Sequence, residues 1–321
     1  MLFLQNQMKH QRHPRLHKQE RGVVLVIALL IVALVAGMSV VMMARMSRDT
    51  ARTMMIFRYV TAEFRAQGSL IWAMDQLRRN WDSQKNNKPI DVMPTASPVD
   101  EVEGYKIGSQ IDDMQARFNL NNLSDFDAQA DFKRLIRLLD QKVSDQAATN
   151  IARSVAFWIQ TSPSSDDQYY LDLPRPYHAA HRLMFNMSEL NLVRGMTPSL
   201  FQALSPYITA LPEQTKINVQ TAEVPVLMML SPGMRLETAK KIIEWRSKTP
   251  FLSTTQFLGL SFIKNLGISP EKITVTSDYF LVTSIVSIEN QRLLLYTLCE
   301  RKSKNNKALI VPLWQSQGSW Q

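Results

Sequence analysis

One cysteine in 321 residues, Cys299, excludes any intramolecular disulfide. A domain outside the reducing cytoplasm would then be held by packing, by a metal or by partners. Cys299 lies in an apolar, strand-like run, 292–301, and reads as a small buried hydrophobe. Histidine is scarce as well: His10, His13 and His17 sit near the N-terminus and His178 and His181 share a later loop. None of these offers the cationic, partly open surroundings a catalytic thiol needs. No Ser/His/Asp, Cys/His or phosphate-loop arrangement can be assembled, so no enzyme is expected.

Acid is nearly missing from the first 22 residues, where Glu20 faces Lys9, Arg12, Arg15, Lys18 and Arg21. Of the formal charge of +9, this segment carries +4 and the other 299 residues only +5. A basic excess confined to one end argues against a general polyanion-binding surface. Cations beside an apolar helix are read first as a topological signal that keeps that end in the cytoplasm.

What is present is a long apolar run. Gly22 to Ala44 are 23 uncharged residues between Arg21 and Arg45. As a helix they would be about 34 Å long, enough to cross a hydrocarbon core of about 30 Å. A secretory signal would have a shorter apolar region, of about 7–15 residues, followed by a small-residue cleavage site. From Met46 to Trp81 there is no proline and one glycine, Gly68, so the helix is expected to continue. Phe57, Val60, Phe64, Ile71, Met74 and Leu77 recur at helical spacing and predict the stripe on which it packs. Pro89, Pro94 and Pro98 then mark a loop.

Loose alternation from Glu103 to Leu120 predicts strands, and Asn119-Leu120-Asn121-Asn122-Leu123 predicts a turn. Helical periodicity covers Asp125 to Ile159. The loop from Thr161 to Arg175 holds Asp166, Asp167, Asp172, Tyr169 and Tyr170, and reads either as a solvated loop or as a hard-cation site. Two helical hairpins follow. One opens with Ser188 as its cap, closes at Gly195 and restarts at Thr197-Pro198; the other runs from Leu230-Ser231-Pro232-Gly233-Met234 into Leu236–Trp245. The second resembles the helix-hairpin-helix of DNA-binding proteins, with Arg235, Lys240, Lys241, Arg246 and Lys248 around it. Arg235 and Leu236 stand where a second glycine would let a phosphate approach. The tail from Lys272 to Pro312 is strand-like, with a hairpin turn at Glu289-Asn290-Gln291. The strands before and after the helical block are expected to share one sheet, which makes that block an insertion.

Arg21-Gly22 followed at once by the apolar run resembles the cleavage site of type IV prepilin-like proteins. Together with Arg117–Leu123, Tyr177–Arg182, Glu189–Gly195 and Ile217–Ala222, in this order, the chain is similar to the K-type minor pseudopilins of type II secretion systems. The resemblance implies an α+β, pilin-like fold with a long N-terminal helix, an antiparallel sheet and a large inserted all-α domain of SAM-like, helix-hairpin-helix type. It implies a leader over 1–22, a membrane helix over 23–44 and its periplasmic continuation over 45–82. The sheet domain would then begin over 83–120, the helical insertion occupy 121–268 and the C-terminal strands 269–321. Cleavage by prepilin peptidase between Gly22 and Val23 would leave Val23 as the methylated N-terminus. The protein would be a single-pass inner-membrane protein of a Gram-negative bacterium, with a cytoplasmic N-terminus and a periplasmic C-terminal domain. Its partners would be I-type and J-type minor pseudopilins, the peptidase and membrane lipid, with no nucleic acid. Ile27 stands at the fifth mature position, where most pilin-like proteins have glutamate. A tip subunit has no subunit above it whose amine needs neutralising, and an unpaired carboxylate in a bilayer is costly. Family members also bind calcium after an Asp-Trp-x-Asp motif. Here that motif reads Ala156-Phe157-Trp158-Ile159-Gln160, leaving Asp166 and Asp167 as the candidate ligands. The alternative to a structural subunit is a membrane-anchored helix-hairpin-helix protein that binds nucleic acid.

Overall fold

A computed structural model of the chain describes residues 18–85, 96–97, 99–162, 167–304 and 307–318. Most of the basic leader, the loop prolines Pro89, Pro94 and Pro98, and Asp166 lie outside these. Two compact units are present, Met1–Thr61 and Ala62–Gln321. The described residues of the first are helical. Proline-free, and apolar from Gly22 to Ala44, they belong to α1 (Lys18–Lys85), whose residues Val23 to Met43 are exposed. This helix is long and apolar enough to cross a membrane.

In the second unit, α1 lies against an antiparallel sheet. Ala62, Ala66, Leu70, Ala73 and Leu77 recur every three or four residues and are buried on it. Phe64 and Ile71, expected in the packing stripe, are instead 75% and 67% exposed. The reason is geometric: Ala66 and Ala73 follow them by two positions, which is about 200° round a helix. Small side chains let the helix approach the strands closely; of the expected stripe, Leu77 and Met74 join the core with the alanines, while Phe64 and Ile71 are left on the opposite side. Ser69 Oγ donates to the Gly108 carbonyl at 3.0 Å, tying the helix to the sheet.

The sheet is formed by β1 (Asp100–Val102), β2 (Tyr105–Asp113), β7 (Tyr279–Ile288), β8 (Gln291–Lys304) and β9 (Lys307–Gln317), in that order. Every neighbouring pair is antiparallel, so the strands flanking the helical block do share a sheet. Glu103 and Gly104 turn β1 into β2 with φ of 52° and 78°, as a two-residue hairpin requires. Glu289 (φ 51°) begins the turn between β7 and β8. One face of β7 and β8 presents Phe280, Val282 and Cys299 to α1, and the other presents Tyr279, Leu281 and Leu298 to Met114 and Leu211. A strand covered on both faces explains the unbroken apolar run. Opposite Leu298 and Cys299, β9 carries an extra residue, Leu313, beside Pro312.

Between β2 and β7 the chain builds a helix-rich segment around a single core from Phe118 to Ile273. It contains β3 (Phe118–Asn119), α2 (Phe126–Leu139), α3 (Asp145–Ile159), α4 (Asp167–Leu171), α5 (Pro198–Leu204), β4 (Ile208–Thr209), β5 (Ile217–Asn218), α6 (Val224–Met229), α7 (Leu236–Lys248), α8 (Thr254–Leu258) and β6 (Ile273–Thr274). The helical stretch Asp125–Ile159 is two helices, because Ser144 caps α3 after a break at Asp140. A cap expected at Ser188 is provided by Asn186, which forms a capping box with Glu189.

Candidate functional site

Three places bear on function: the N-terminal end of α1, the joint where the chain leaves and re-enters the sheet, and the loop around α4. At the first, Gly22, Val23 and Ile27 all lie on α1, with Val23 59% and Ile27 50% exposed. The run carries no acidic residue.

The joint is built around two polar motifs. Asn119 Nδ2 donates to the Glu213 carbonyl at 2.7 Å, and its Oδ1 accepts from the Asn121 and Leu211 amides. Asn121, fully buried, donates to the Met184 and Leu211 carbonyls and accepts from the Met184 amide. Asn122 exchanges two hydrogen bonds with the Thr215 backbone. Side-chain amides here replace ladder bonds between segments some 60 to 95 residues apart, which is why a local turn motif carries so many asparagines.

The second motif centres on Asp113 at the end of β2. Its carboxylate accepts from the Gln115 amide (2.9 Å), Asn218 Nδ2 (2.9 Å), Thr221 Oγ1 (2.5 Å) and Ser277 Oγ (2.8 Å). Both crossings between sheet and insertion thus meet at one carboxylate. Burial pushes its pKa up, and the four donors oppose that shift. Beside it Arg301, 3% exposed, sits over the rings of Trp81 and Phe280 and donates to the Ser277 carbonyl and to Asn80 Oδ1.

In the α4 loop, Asp167 Oδ1 lies 2.8 Å from His181 Nε2, while His181 Nδ1 is 3.0 Å from the Gln160 carbonyl. Asp172 accepts from Gln168. Among the described residues no three His, Cys, Asp or Glu side chains are grouped to hold a metal ion. Asp167 Oδ1 and the Gln160 carbonyl both face the His181 imidazole. Asp166 lies outside the described residues.

The second hairpin turns inward. Gly233 N–H donates to Ser231 Oγ, and that hydroxyl donates to the Leu266 carbonyl at 2.6 Å. Arg246, counted above with the basic cluster, donates to the Val219 and Ala222 carbonyls at 2.7 and 2.8 Å, and burial lowers its pKa to about 10. Lys248 pairs with Glu244. The nucleic-acid reading loses its phosphate-facing amide and one of its cations.

These features define a class: α/β proteins with an N-terminal helix apolar enough to cross a membrane and an antiparallel sheet that carries a helical insertion. Two family models, both described as type II secretion system (T2SS), protein K, match residues 116–213 and 217–276. The chain is similar to type II secretion system protein K of Pseudomonas aeruginosa, with 27% identity covering 94% of this chain and 95% of that protein. The Klebsiella pneumoniae protein of the same name is 25% identical, covering 90% and 95%. Among solved structures, a chain in the crystal structure of the GspK-GspI-GspJ complex from enterotoxigenic Escherichia coli superposes with a TM-score of 0.71 at 25% identity, covering 84% of this chain and 99% of that one. The chain belongs to the type II secretion system protein K family.

Proposed function

We propose that this protein is the minor pseudopilin at the tip of a type II secretion pseudopilus, supporting protein export across the outer membrane in complex with I-type and J-type minor pseudopilins. The observation that carries the reading is the outward face of α1, where Phe64 and Ile71 stay exposed while the alanines beside them are buried on the sheet. Exposed apolar side chains in helical register suit packing against other helices. Before assembly, the run from Val23 holds the protein in the inner membrane, with the basic leader cytoplasmic and the sheet and insertion periplasmic. Prepilin peptidase cuts between Gly22 and Val23, and Val23 becomes the methylated N-terminus. Ile27 suits the tip position, where no subunit above requires a carboxylate. Over 121–268 the insertion is SAM-like in kind, built from short capped helices such as α5 with Thr197 as cap and Pro198 at its first turn. Co-purification from cells expressing the I- and J-type subunits tests the assignment. The wild-type chain is expected to bring both down and a Phe64→Asp/Ile71→Asp double variant to lose them; failure of the wild-type chain to bring down either would sink the assignment.

A further inference from the structure

The sheet face away from α1 is only partly covered by the insertion. Beyond Leu211 a groove of about 870 Å³ opens between the segment 182–185 and the end of β9. Leu183 and Phe185 form one wall, 41% and 63% exposed. Leu313 and Trp314 form the other, and the rings of Phe185 and Trp314 are 6.3 Å apart.

Phe185 is not on a loose loop. The Phe185 amide donates to Glu189 Oε1 at 2.8 Å, and both backbone groups of Met184 are held by the buried Asn121. An aromatic side chain that is exposed yet fixed loses little freedom on binding, which is the character of an interface anchor.

The floor of the groove is acidic. Tyr279 OH donates to Glu213 Oε1 at 2.8 Å and lies 3.4 Å from Glu300 Oε1. Burial and these carboxylates push the phenol's pKa up. Lys302 pairs with Glu300, and Arg182 with Glu189. No basic side chain among the described residues pairs with Glu213, which is exposed and whose main-chain carbonyl is held by Asn119. A fixed, uncompensated carboxylate beside apolar walls attracts a cation attached to apolar groups and repels an anionic lipid headgroup.

We propose that this groove is a docking site for a partner polypeptide segment that places an arginine or lysine on Glu213 and an apolar side chain against the paired rings of Phe185 and Trp314. The test uses the full chain in detergent micelles. The probe is a fluorescein-labelled nonapeptide with a central arginine between leucine and phenylalanine residues, and its counterpart has glutamate for arginine. Anisotropy is expected to show saturable binding of the arginine peptide, weakened at least tenfold by Glu213→Lys and by Phe185→Ser. The Leu252→Ser control, at an exposed position outside the groove lining, should bind as wild type. Glu213 and Phe185 are both exposed, so circular dichroism should be unchanged in the variants. No saturable binding, equal binding of the glutamate peptide, or unweakened binding by both groove variants would overturn the proposal. Self-association lost in Phe185→Ser without peptide binding would also overturn it, and would assign the groove to a second copy of the chain.

Discussion

Replacing Asp113 with alanine should loosen the helical insertion without unseating α1 from the sheet. The carboxylate is the common acceptor of donors at positions 115, 218, 221 and 277. Hydrogen bonds to a charged acceptor contribute about 1.5–3 kcal/mol each, and an orphaned buried donor costs about 1–3 kcal/mol. Not all of this is lost. Thr221 is exposed and can turn to water, and Asn218 Nδ2 also donates to Ser277 Oγ at 2.9 Å. Asn218 and Ser277 are 4% and 2% exposed, so their unpaired groups dominate, and the net loss is about 2–4 kcal/mol. Urea unfolding followed by tryptophan fluorescence would read the total, and hydrogen exchange would locate it. Protection should fall at β5 and β6 and persist in β7 and β8. A loss under about 0.5 kcal/mol, or one spread evenly over the sheet, would refute the joint. The pH dependence follows from the same site. Burial raises the native pKa above its ordinary 3.8, so the folded state takes up this proton before the unfolded chain does. The stabilisation is complete below 3.8 and is lost as pH rises through the native value. The stability gap between wild type and Asp113→Asn should therefore widen as pH falls from 7 toward 4; a narrowing gap would mean that the four donors hold the anion against burial.

Other consequences are as concrete. Leu77→Ala removes a fully buried side chain between α1 and the sheet and should cost about 2–5 kcal/mol in the same unfolding assay. Burial pushes the Cys299 thiol up to about 12 from 9.0. Iodoacetamide at pH 8 should leave it unmodified until the protein unfolds, and stability should decline from pH 9 toward 12 with a slope that Cys299→Ala lacks. Gly195 has φ +86°, and an added Cβ would lie 3.1 Å from Ile151 Cγ1, so Gly195→Ala should lower stability by about 1–3 kcal/mol. Gly22→Ala, in cells with active prepilin peptidase, should leave the leader attached on an immunoblot, and normal processing would refute the cleavage assignment.

Local chemistry was the legible part of this chain. Alternation at Tyr105, Ile107 and Ile111, and the β-branched run after Tyr279, announce the strands that pair, and Glu289-Asn290 announces their turn. Which face of α1 is buried was not legible. Periodicity places Phe64 and Ile71 on one stripe but does not say what that stripe meets, and alanines give a weak apolar signal. Alternation through Gln115, Arg117 and Asn119 suggests a strand, yet Asp113 caps a 3-10 turn at Met114–Ala116 because its carboxylate accepts from the Gln115 amide. Likewise the loop holding Asp167 contains a short helix, α4. Arg246 reads as a surface cation among lysines, but its guanidinium finds two carbonyls at the end of β5. The joint was least visible, since Asp113, Asn218 and Ser277 are over a hundred positions apart in part and each is an ordinary polar residue in its own neighbourhood. One signal was available: Asn119, Asn121 and Asn122 among Phe118, Leu120 and Leu123, a density of amides that apolar surroundings make unfavourable unless they are paired.

The irregularity at Pro312 and Leu313 limits how such molecules can meet. Proline offers no N–H, and the extra residue interrupts the ladder, so β9 cannot template a full-length added strand along its outer side. At the opposite margin, β1 has only three residues. Both borders of the sheet are blunt. Crowded in one leaflet or one fibre, copies of this chain are protected from fusing strand to strand, and association is left to side-chain surfaces whose fit can be selective.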